Sequence, residues 1–212
     1  MTNKRIVVLI SGNGSNLQAI IDYKTLNYKI TCVVSDQEEA YGLMRARMAN
    51  IPTKTIPSNK NLKKEFDALL LEVLIDLNPD LIVLAGFMKI LNEDIVDTFN
   101  GKIINIHPSL LPKYKGLHTH RKALEAQDKY HGATVHCVTK ELDAGPILGQ
   151  CQLTICKDDT EITLKEKVHQ AEHILYPLII DYICNESISI TNNQPQVIQK
   201  RKDLIIPIRI NL

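Results

Sequence analysis

Lys102-Ile103-Ile104-Asn105-Ile106-His107-Pro108-Ser109-Leu110-Leu111-Pro112 passes from an apolar strand into a turn bounded by two prolines. Ile103, Ile104 and Ile106 are β-branched and suit a buried strand. Asn105 and His107 stand two residues apart, so a strand presents their amide and imidazole on one face. Pro108 cannot donate to a sheet ladder, and Pro112 closes the loop behind it. A polar pair at the C-terminal tip of a buried strand lies where open α/β sheets bind their ligands. The pair reads either as catalytic or as the hydrogen-bonded end of a turn.

Upstream of this stretch, strands and helices alternate. Residues 5–10 form an unbroken apolar strand, followed by Ser11-Gly12-Asn13-Gly14-Ser15-Asn16 and then Leu17, Ala19, Ile20 and Ile21 at helical spacing. Strand, glycine turn and helix together cradle anions, because backbone N–H groups and the helix N-terminus converge there. Gly14, Ser15 and Asn16 are the candidate anion ligands. Gly12-x-Gly14 with Asp36 after the second strand (29–34) also resembles a dinucleotide fingerprint, but Leu17 occupies the third glycine position. A monophosphate needs no third glycine, and a plain turn remains the third reading. Residues 40–49 read as a helix with Leu43, Ala46 and Met48 inward, and 51–56 as a short strand. Leu62, Phe66, Leu69, Leu70, Val73, Leu74 and Leu77 mark an amphipathic helix ended by Asn78-Pro79. Lys60, Lys63 and Lys64 on its first turns either meet an acidic ligand or form a solvated face. Leu81-Ile82-Val83-Leu84 is a central strand. The segment Gly86-Phe87-Met88-Lys89-Ile90-Leu91 after it either lines a slot for a flat ring or covers core. A short helix (92–99) leads back to Lys102.

Downstream, Lys113-Tyr114-Lys115-Gly116-Leu117-His118-Thr119-His120-Arg121 precedes a helix through Ala126 and a strand over 130–138. His118 and His120 are two apart, but no third metal ligand has a recognisable spacing. Asp143, in the loop Lys140-Glu141-Leu142-Asp143-Ala144-Gly145-Pro146, is a candidate partner for His107. A carboxylate beside an imidazole raises the imidazole pKa and fixes its orientation. A strand over 147–156 is followed by a long helix from near Thr160, with Pro177 expected to kink or divide it. His169-x-x-Glu172-His173 inside that helix matches a zinc-peptidase pattern, but the tail offers few acids as a further ligand. The tail, 188–210, reads as a strand pair around Asn192-Asn193 and Pro195, an appended edge.

These elements predict an α/β fold: a doubly wound, mostly parallel Rossmann-like sheet with a C-terminal strand/helix extension. One domain spans 1–212, with halves of 1–100 and 101–212. A formal net charge of +1 leaves no electrostatic footprint for nucleic acid. No apolar run approaches the roughly 18 residues of a membrane span, and the five-residue run after Arg5 reads as a strand, not a leader. The five cysteines are odd in number and lack Cys-x-x-Cys spacing, which fits reduced thiols in the cytoplasm and no structural zinc. The composition leaves a homodimer open.

Four stretches then occur together and in order: Ser11-Gly12-Asn13-Gly14-Ser15-Asn16-Leu17-Gln18, Leu84-Ala85-Gly86-Phe87-Met88-Lys89-Ile90-Leu91, Asn105-Ile106-His107-Pro108-Ser109-Leu110-Leu111-Pro112 and Leu142-Asp143-Ala144-Gly145-Pro146-Ile147. With them, nearly the whole chain resembles the phosphoribosylglycinamide formyltransferase family, the folate-dependent enzymes of purine synthesis. Asn-x-His-Pro-Ser is common to formyl-folate enzymes of this fold, and the Gly-Asn-Gly-Ser-Asn turn narrows the resemblance to the glycinamide ribonucleotide branch. The resemblance implies formyl transfer from 10-formyltetrahydrofolate to 5'-phosphoribosylglycinamide without a metal. It implies a catalytic trio of Asn105, His107 and Asp143. Gly14, Ser15 and Asn16 would hold the ribonucleotide phosphate, and Glu172 the ribose. Lys63, Met88, Lys89, Ile90, Leu91, Asn105, Glu141, Leu142, Asp143 and Ala144 would form the folate site, making 1–100 the phosphate-binding half and 101–212 the catalytic and folate-binding half. Lys63 and Lys89 stand where many members carry arginine, which keeps the charge but loses the planar fork. His169 falls at a variable position near the ribonucleotide phosphate. The same trio with water as acceptor would make a 10-formyltetrahydrofolate hydrolase. Outside enzymes, the glycine turn alone would suit a phosphometabolite-binding protein.

Overall fold

A computed structural model describes residues 3–58, 63–191, 194–197 and 208–212. Lys60 and Leu62, the Asn192-Asn193 turn and most of the tail beyond 197 lie outside the described residues. The chain is an α/β protein with mostly parallel strands, Rossmann-like as the alternation of elements predicts. It divides into two compact units, 1–104 and 105–212.

The first unit is built on β1 (Lys4–Ile10), β2 (Tyr28–Ser35), β3 (Thr53–Thr55) and β4 (Leu81–Leu84), ordered β4-β1-β2-β3 and all parallel. Ile6 through Ile10 have no exposed surface, and Leu81 to Leu84 are all buried. A parallel strand covered on both faces needs side chains of one kind on both faces, which is why these runs are apolar without alternation. Helices α1 (Ser15–Asp22), α2 (Tyr41–Met48), α3 (Lys63–Leu77) and α4 (Glu93–Thr98) link the strands. Asn92 caps α4 by accepting the Ile95 N–H at 3.0 Å.

Two helix faces differ from expectation. On α2, Leu43 and Ala46 are buried, but Met48 at the C-terminal end is 75% exposed. On α3 the buried stripe is Phe66, Asp67, Leu70 and Leu74, while Leu69 is half exposed. Phe66, Leu70 and Leu74 already define a four-residue ridge, so Leu69 falls outside it and Asp67 falls inside.

Strand β5 (Ile103–His107) carries the chain into the second unit. There β6 (Tyr130–Cys137) and β7 (Ile147–Thr154) pair antiparallel, and α5 (Thr119–Glu125) and α6 (Glu161–Cys184) complete the unit's helices. A reciprocal capping box starts α6: Thr163 N–H donates to Thr160 Oγ1, and Thr160 N–H donates to Thr163 Oγ1. The helix runs through Pro177 without dividing. Leu175, Tyr176, Ile179 and Ile180 around the proline are fully buried, and α6 packs on β6 and β7, which holds the helix despite one missing N–H donor. In the tail, β8 (Ile188–Thr191) and β9 (Gln194–Val197) form the expected antiparallel pair. A further strand, β10 (Ile208–Asn211), pairs parallel with β7.

Candidate active site

The turn between β1 and α1 belongs to the first unit. Gly14 has φ +74, and a Cβ there would lie 2.6 Å from the Gly42 Cα, so both conformation and close approach require glycine. The first helical bond of α1 runs from the Gln18 N–H to the Gly14 carbonyl at 2.9 Å, which places Ser15 and Asn16 in the positively polarised first turn. Arg45 of α2 donates to the Asn13 carbonyl at 2.9 Å and to Asn13 Oδ1 at 3.1 Å, bringing a fixed cation to the turn. Leu17 is fully buried, so a packed side chain fills the position where the dinucleotide fingerprint has its third glycine.

Beside it, α3 and the segment after β4 enclose a cavity of about 320 Å³. Lys63, Phe66 and Asp67 line one side, Met88, Lys89 and Ile90 the other, and Ser58 completes it. Met88 and Ile90 are mostly exposed, so this segment forms cavity wall and does not cover core. Leu91 follows at half burial.

In the second unit the strand-tip pair acquires partners. His107 is 5% exposed, and its Nε2–H donates to the Tyr114 carbonyl at 2.8 Å. Its Nδ1 faces Asp143 Oδ2 at 3.3 Å. An imidazole whose two nitrogens both face acceptors is fully satisfied only with a hydrogen on each. Asp143 is also buried, sits at φ +49, and accepts the Gly116 N–H on the same oxygen at 2.9 Å. A positive φ is tolerated by aspartate better than by most residues, and here it turns the carboxylate toward the ring.

His136 completes this constellation, and sequence reasoning did not single it out. Its Nδ1–H donates to the Cys137 carbonyl at 2.8 Å, which leaves Nε2 to accept the Asn105 amide hydrogen at 3.3 Å. Burial holds the His136 pKa below its usual value, while the Cys137 hydrogen bond and Asp143, 3.7 Å away, act in the other direction. A neutral His136 therefore fixes which way the Asn105 amide points. The signal available in sequence is alternation: Thr134 and His136, two apart on β6, place polar groups between the apolar Ala133, Val135 and Cys137.

Thr134 fastens the loop after His107. Its hydroxyl donates to the Ser109 carbonyl at 2.6 Å and accepts from Leu111 N–H at 3.0 Å and Gln150 Nε2 at 3.1 Å. Lys113 and the Tyr114 hydroxyl both reach Asp128, holding the segment whose carbonyl meets His107.

The remaining candidates lie elsewhere in this unit. Glu141 accepts from Lys115 at 2.9 Å, while Leu142 and Ala144 are exposed beside the buried Asp143. Glu172 is 4% exposed on α6, and His169 stacks on His173 one turn later. His118 and His120 do not act together: His120 Nδ1 pairs with His131 Nε2 at 3.1 Å, and burial holds both imidazoles down at about 4. Among the described residues, no three His, Cys, Asp or Glu side chains are grouped to hold a metal ion. Likewise, no described helix is long and apolar enough to cross a membrane.

Residues 4–180 match the formyl transferase family. The phosphoribosylglycinamide formyltransferase of Escherichia coli is 47% identical over 89% of this chain and 91% of its own length. The phosphoribosylglycinamide formyltransferase of Coxiella burnetii superposes with a TM-score of 0.87 at 47% identity, covering 92% of this chain and 94% of that one. That of Anaplasma phagocytophilum gives 0.88 at 37% identity over 99% of both chains. The chain belongs to the formyl transferase family, on its phosphoribosylglycinamide formyltransferase branch.

Proposed function

We propose that this formyltransferase of purine biosynthesis moves the formyl group of 10-formyltetrahydrofolate to the amino group of 5'-phosphoribosylglycinamide, with Asn105, His107 and Asp143 as its catalytic residues. The observation that supports this most is the set Asn105–His136–Asp143–His107, four buried or half-buried polar groups in which one hydrogen bond and two close histidine–carboxylate contacts orient an amide and an imidazole.

In the reaction, the substrate amine attacks the formyl carbon and the carbonyl electrons move onto oxygen. Collapse of this tetrahedral oxyanion breaks the bond to the folate nitrogen. The amine loses one proton and the departing nitrogen gains one. Asn105 offers one amide hydrogen to His136 and keeps a second for the oxyanion. His107 donates the other stabilising hydrogen and then passes its proton to the leaving nitrogen, and the proton released by the attacking amine restores the imidazolium. Its Nε2–H must leave the Tyr114 carbonyl to do so, an exchange typical of sites that tighten only with substrate present. Asp143, against Nδ1, holds the ring in place through that exchange.

Gly14, Ser15 and Asn16 are assigned to the ribonucleotide phosphate, supported by the glycine turn, the helix N-terminus and the neighbouring Arg45 guanidinium. Glu172 is assigned to the ribose, a role that follows from family resemblance. Lys63, Met88, Lys89, Ile90 and Leu91, with Glu141, Leu142 and Ala144, are assigned to the folate, supported for the first four by the cavity they line. The chemistry uses no metal.

The test is to incubate the protein with 10-formyltetrahydrofolate with and without the ribonucleotide, and to follow tetrahydrofolate and formylated product. Deformylated folate appearing only with the ribonucleotide, one product per folate, is the expected result. Equal release without it would make water the acceptor and the protein a hydrolase.

A further inference from the structure

Arg45 stands beside the glycine turn, yet each of its guanidinium nitrogens is already committed within the protein. Nε donates to the Asn13 carbonyl at 2.9 Å, Nη2 to Asn13 Oδ1 at 3.1 Å and Nη1 to Gln18 Oε1 at 3.2 Å. The guanidinium also lies over the Tyr41 ring, 4.8 Å from its centroid. The planar fork of arginine suits two acceptors held side by side, and here both belong to Asn13. Such a side chain is placed to hold the turn, not to reach for a guest.

What it holds is the direction of a peptide plane. In a trans peptide the C=O of one residue and the N–H of the next point opposite ways. The Gly12 carbonyl accepts the Gly42 N–H of α2 at 3.0 Å, so the Asn13 N–H is turned away from α2. The Asn13 carbonyl accepts from Arg45 of α2, so the Gly14 N–H is turned the same way. The Gly14 carbonyl accepts the Gln18 N–H at 2.9 Å along α1, so the Ser15 N–H points out of the helix N-terminus. Gly14 itself is left-handed, at φ 74 and ψ 31, a conformation that lets successive N–H groups converge on an anion. Backbone donors orient the first and third of these planes. The middle one, which carries the Gly14 N–H, is oriented by the Arg45 side chain.

Resting on the assignment of this turn to the ribonucleotide phosphate, we propose that Arg45 is a positioning residue. By gripping Asn13 through both its carbonyl and its side chain, it locks the Asn13–Gly14 peptide with the N–H toward the anion, without touching the phosphate itself. Lysine keeps the charge but lacks the fork, so it does not replace this grip.

The probe is 5'-phosphoribosylglycinamide, titrated by calorimetry into the full chain and compared with the same compound lacking its phosphate. The wild type should prefer the phosphorylated form. Arg45→Lys should weaken the phosphorylated form about 10-fold, the scale of one charged hydrogen bond, and leave the dephosphorylated form unchanged. That loss should persist at about 1 M salt, where charge is screened beyond about 3 Å. In turnover, the ribonucleotide KM should rise about 10-fold in Arg45→Lys with kcat and the donor KM kept, whereas an arginine that only supports the fold would lower Tm and leave this KM alone. In the wild type, the NMR signal of the Arg45 Nε–H should be protected from exchange before ligand is added and should keep its position afterwards. A signal that becomes protected or moves far downfield only with the ribonucleotide would make Arg45 a phosphate ligand and overturn the proposal. This comparison needs no variant, so it decides even where Arg45→Lys fails to fold. A phosphate preference retained in full by Arg45→Lys would also overturn it, while leaving the turn's assignment to phosphate standing. Equal binding of both forms by the wild type would remove that assignment, and this proposal with it.

Discussion

Thr134→Val is the substitution whose consequences the structure specifies most closely. Valine preserves the β-branched shape of a fully buried side chain, so the packing term is near zero and only the hydroxyl is lost. That hydroxyl serves the Ser109 carbonyl, the Leu111 N–H and Gln150 Nε2. Gln150 keeps its bond to the Leu111 carbonyl at 2.9 Å, so two buried backbone groups are left without the partner they had. At about 1–3 kcal/mol for each unsatisfied group, the expected loss is about 2–6 kcal/mol, a large fraction of the stability of an ordinary domain. For a chain of this size that corresponds to a fall in Tm of roughly 5–25 °C. Because the loosened loop follows directly on His107, kcat should also fall while the ribonucleotide KM stays. Urea unfolding read as the shift in midpoint at constant m measures the first effect, and steady-state kinetics the second. Thr134→Ser keeps the hydroxyl and should retain most of both. A Thr134→Val protein within about 1 kcal/mol of the wild type, with unchanged kcat, would refute the idea that this hydroxyl fastens the loop.

Other consequences are equally open to measurement. Gly14→Ala should destabilise more than Gly86→Ala: both positions have positive φ, a strain of about 1–2 kcal/mol, but only at Gly14 does the new methyl meet backbone, at 2.6 Å. Paired thermal melts decide this, and equal losses would contradict the close approach to Gly42. Asn16→Ala should raise the ribonucleotide KM about 10-fold with kcat little changed, and an unmoved KM would count against the phosphate cradle. Acid should begin to weaken the fold as pH falls below 6.5, well above the ordinary carboxylate range. His120 and His131 are held at about 4, below an unfolded value of 6.5, so the unfolded chain binds more protons in that window. Their contribution is complete above 6.5 and is lost as pH falls toward 4, at up to about 1.4 kcal/mol per pH unit for each histidine. His131→Gln should flatten the slope, and an unchanged slope in urea midpoints between pH 6.5 and 4 would exclude these histidines as its source.

Much of this molecule is legible in its sequence because the relevant physics is local. An unbroken apolar run such as Ile6 to Ile10 can only be a covered strand, and the two-residue spacing of Asn105 and His107 already puts them on one face. The meeting of His107 with Asp143 is not local. It depends on an aspartate in a left-handed conformation within a loop, and spacing of 36 positions carries no information about it. His136 escaped notice for a different reason: its neighbours Val135 and Cys137 make β6 read as core, and the alternating polar face carrying Thr134 and His136 is short. On α3, apolarity alone assigned Leu69 to the buried face, whereas the ridge geometry buries Asp67 instead. Strand β10 has only four residues, and its pairing with β7 joins segments more than fifty positions apart, beyond the reach of any periodicity.

The central claim is that the His107 imidazole, held against Asp143, gives a proton to the departing folate nitrogen and takes up the one the attacking amine releases. Its most direct test is the turnover of His107→Ala at saturating donor and ribonucleotide, alongside ribonucleotide binding to the same protein. A fall in kcat of about 10²–10⁴-fold with ribonucleotide affinity kept is the predicted result. Turnover within a few-fold of the wild type would contradict it.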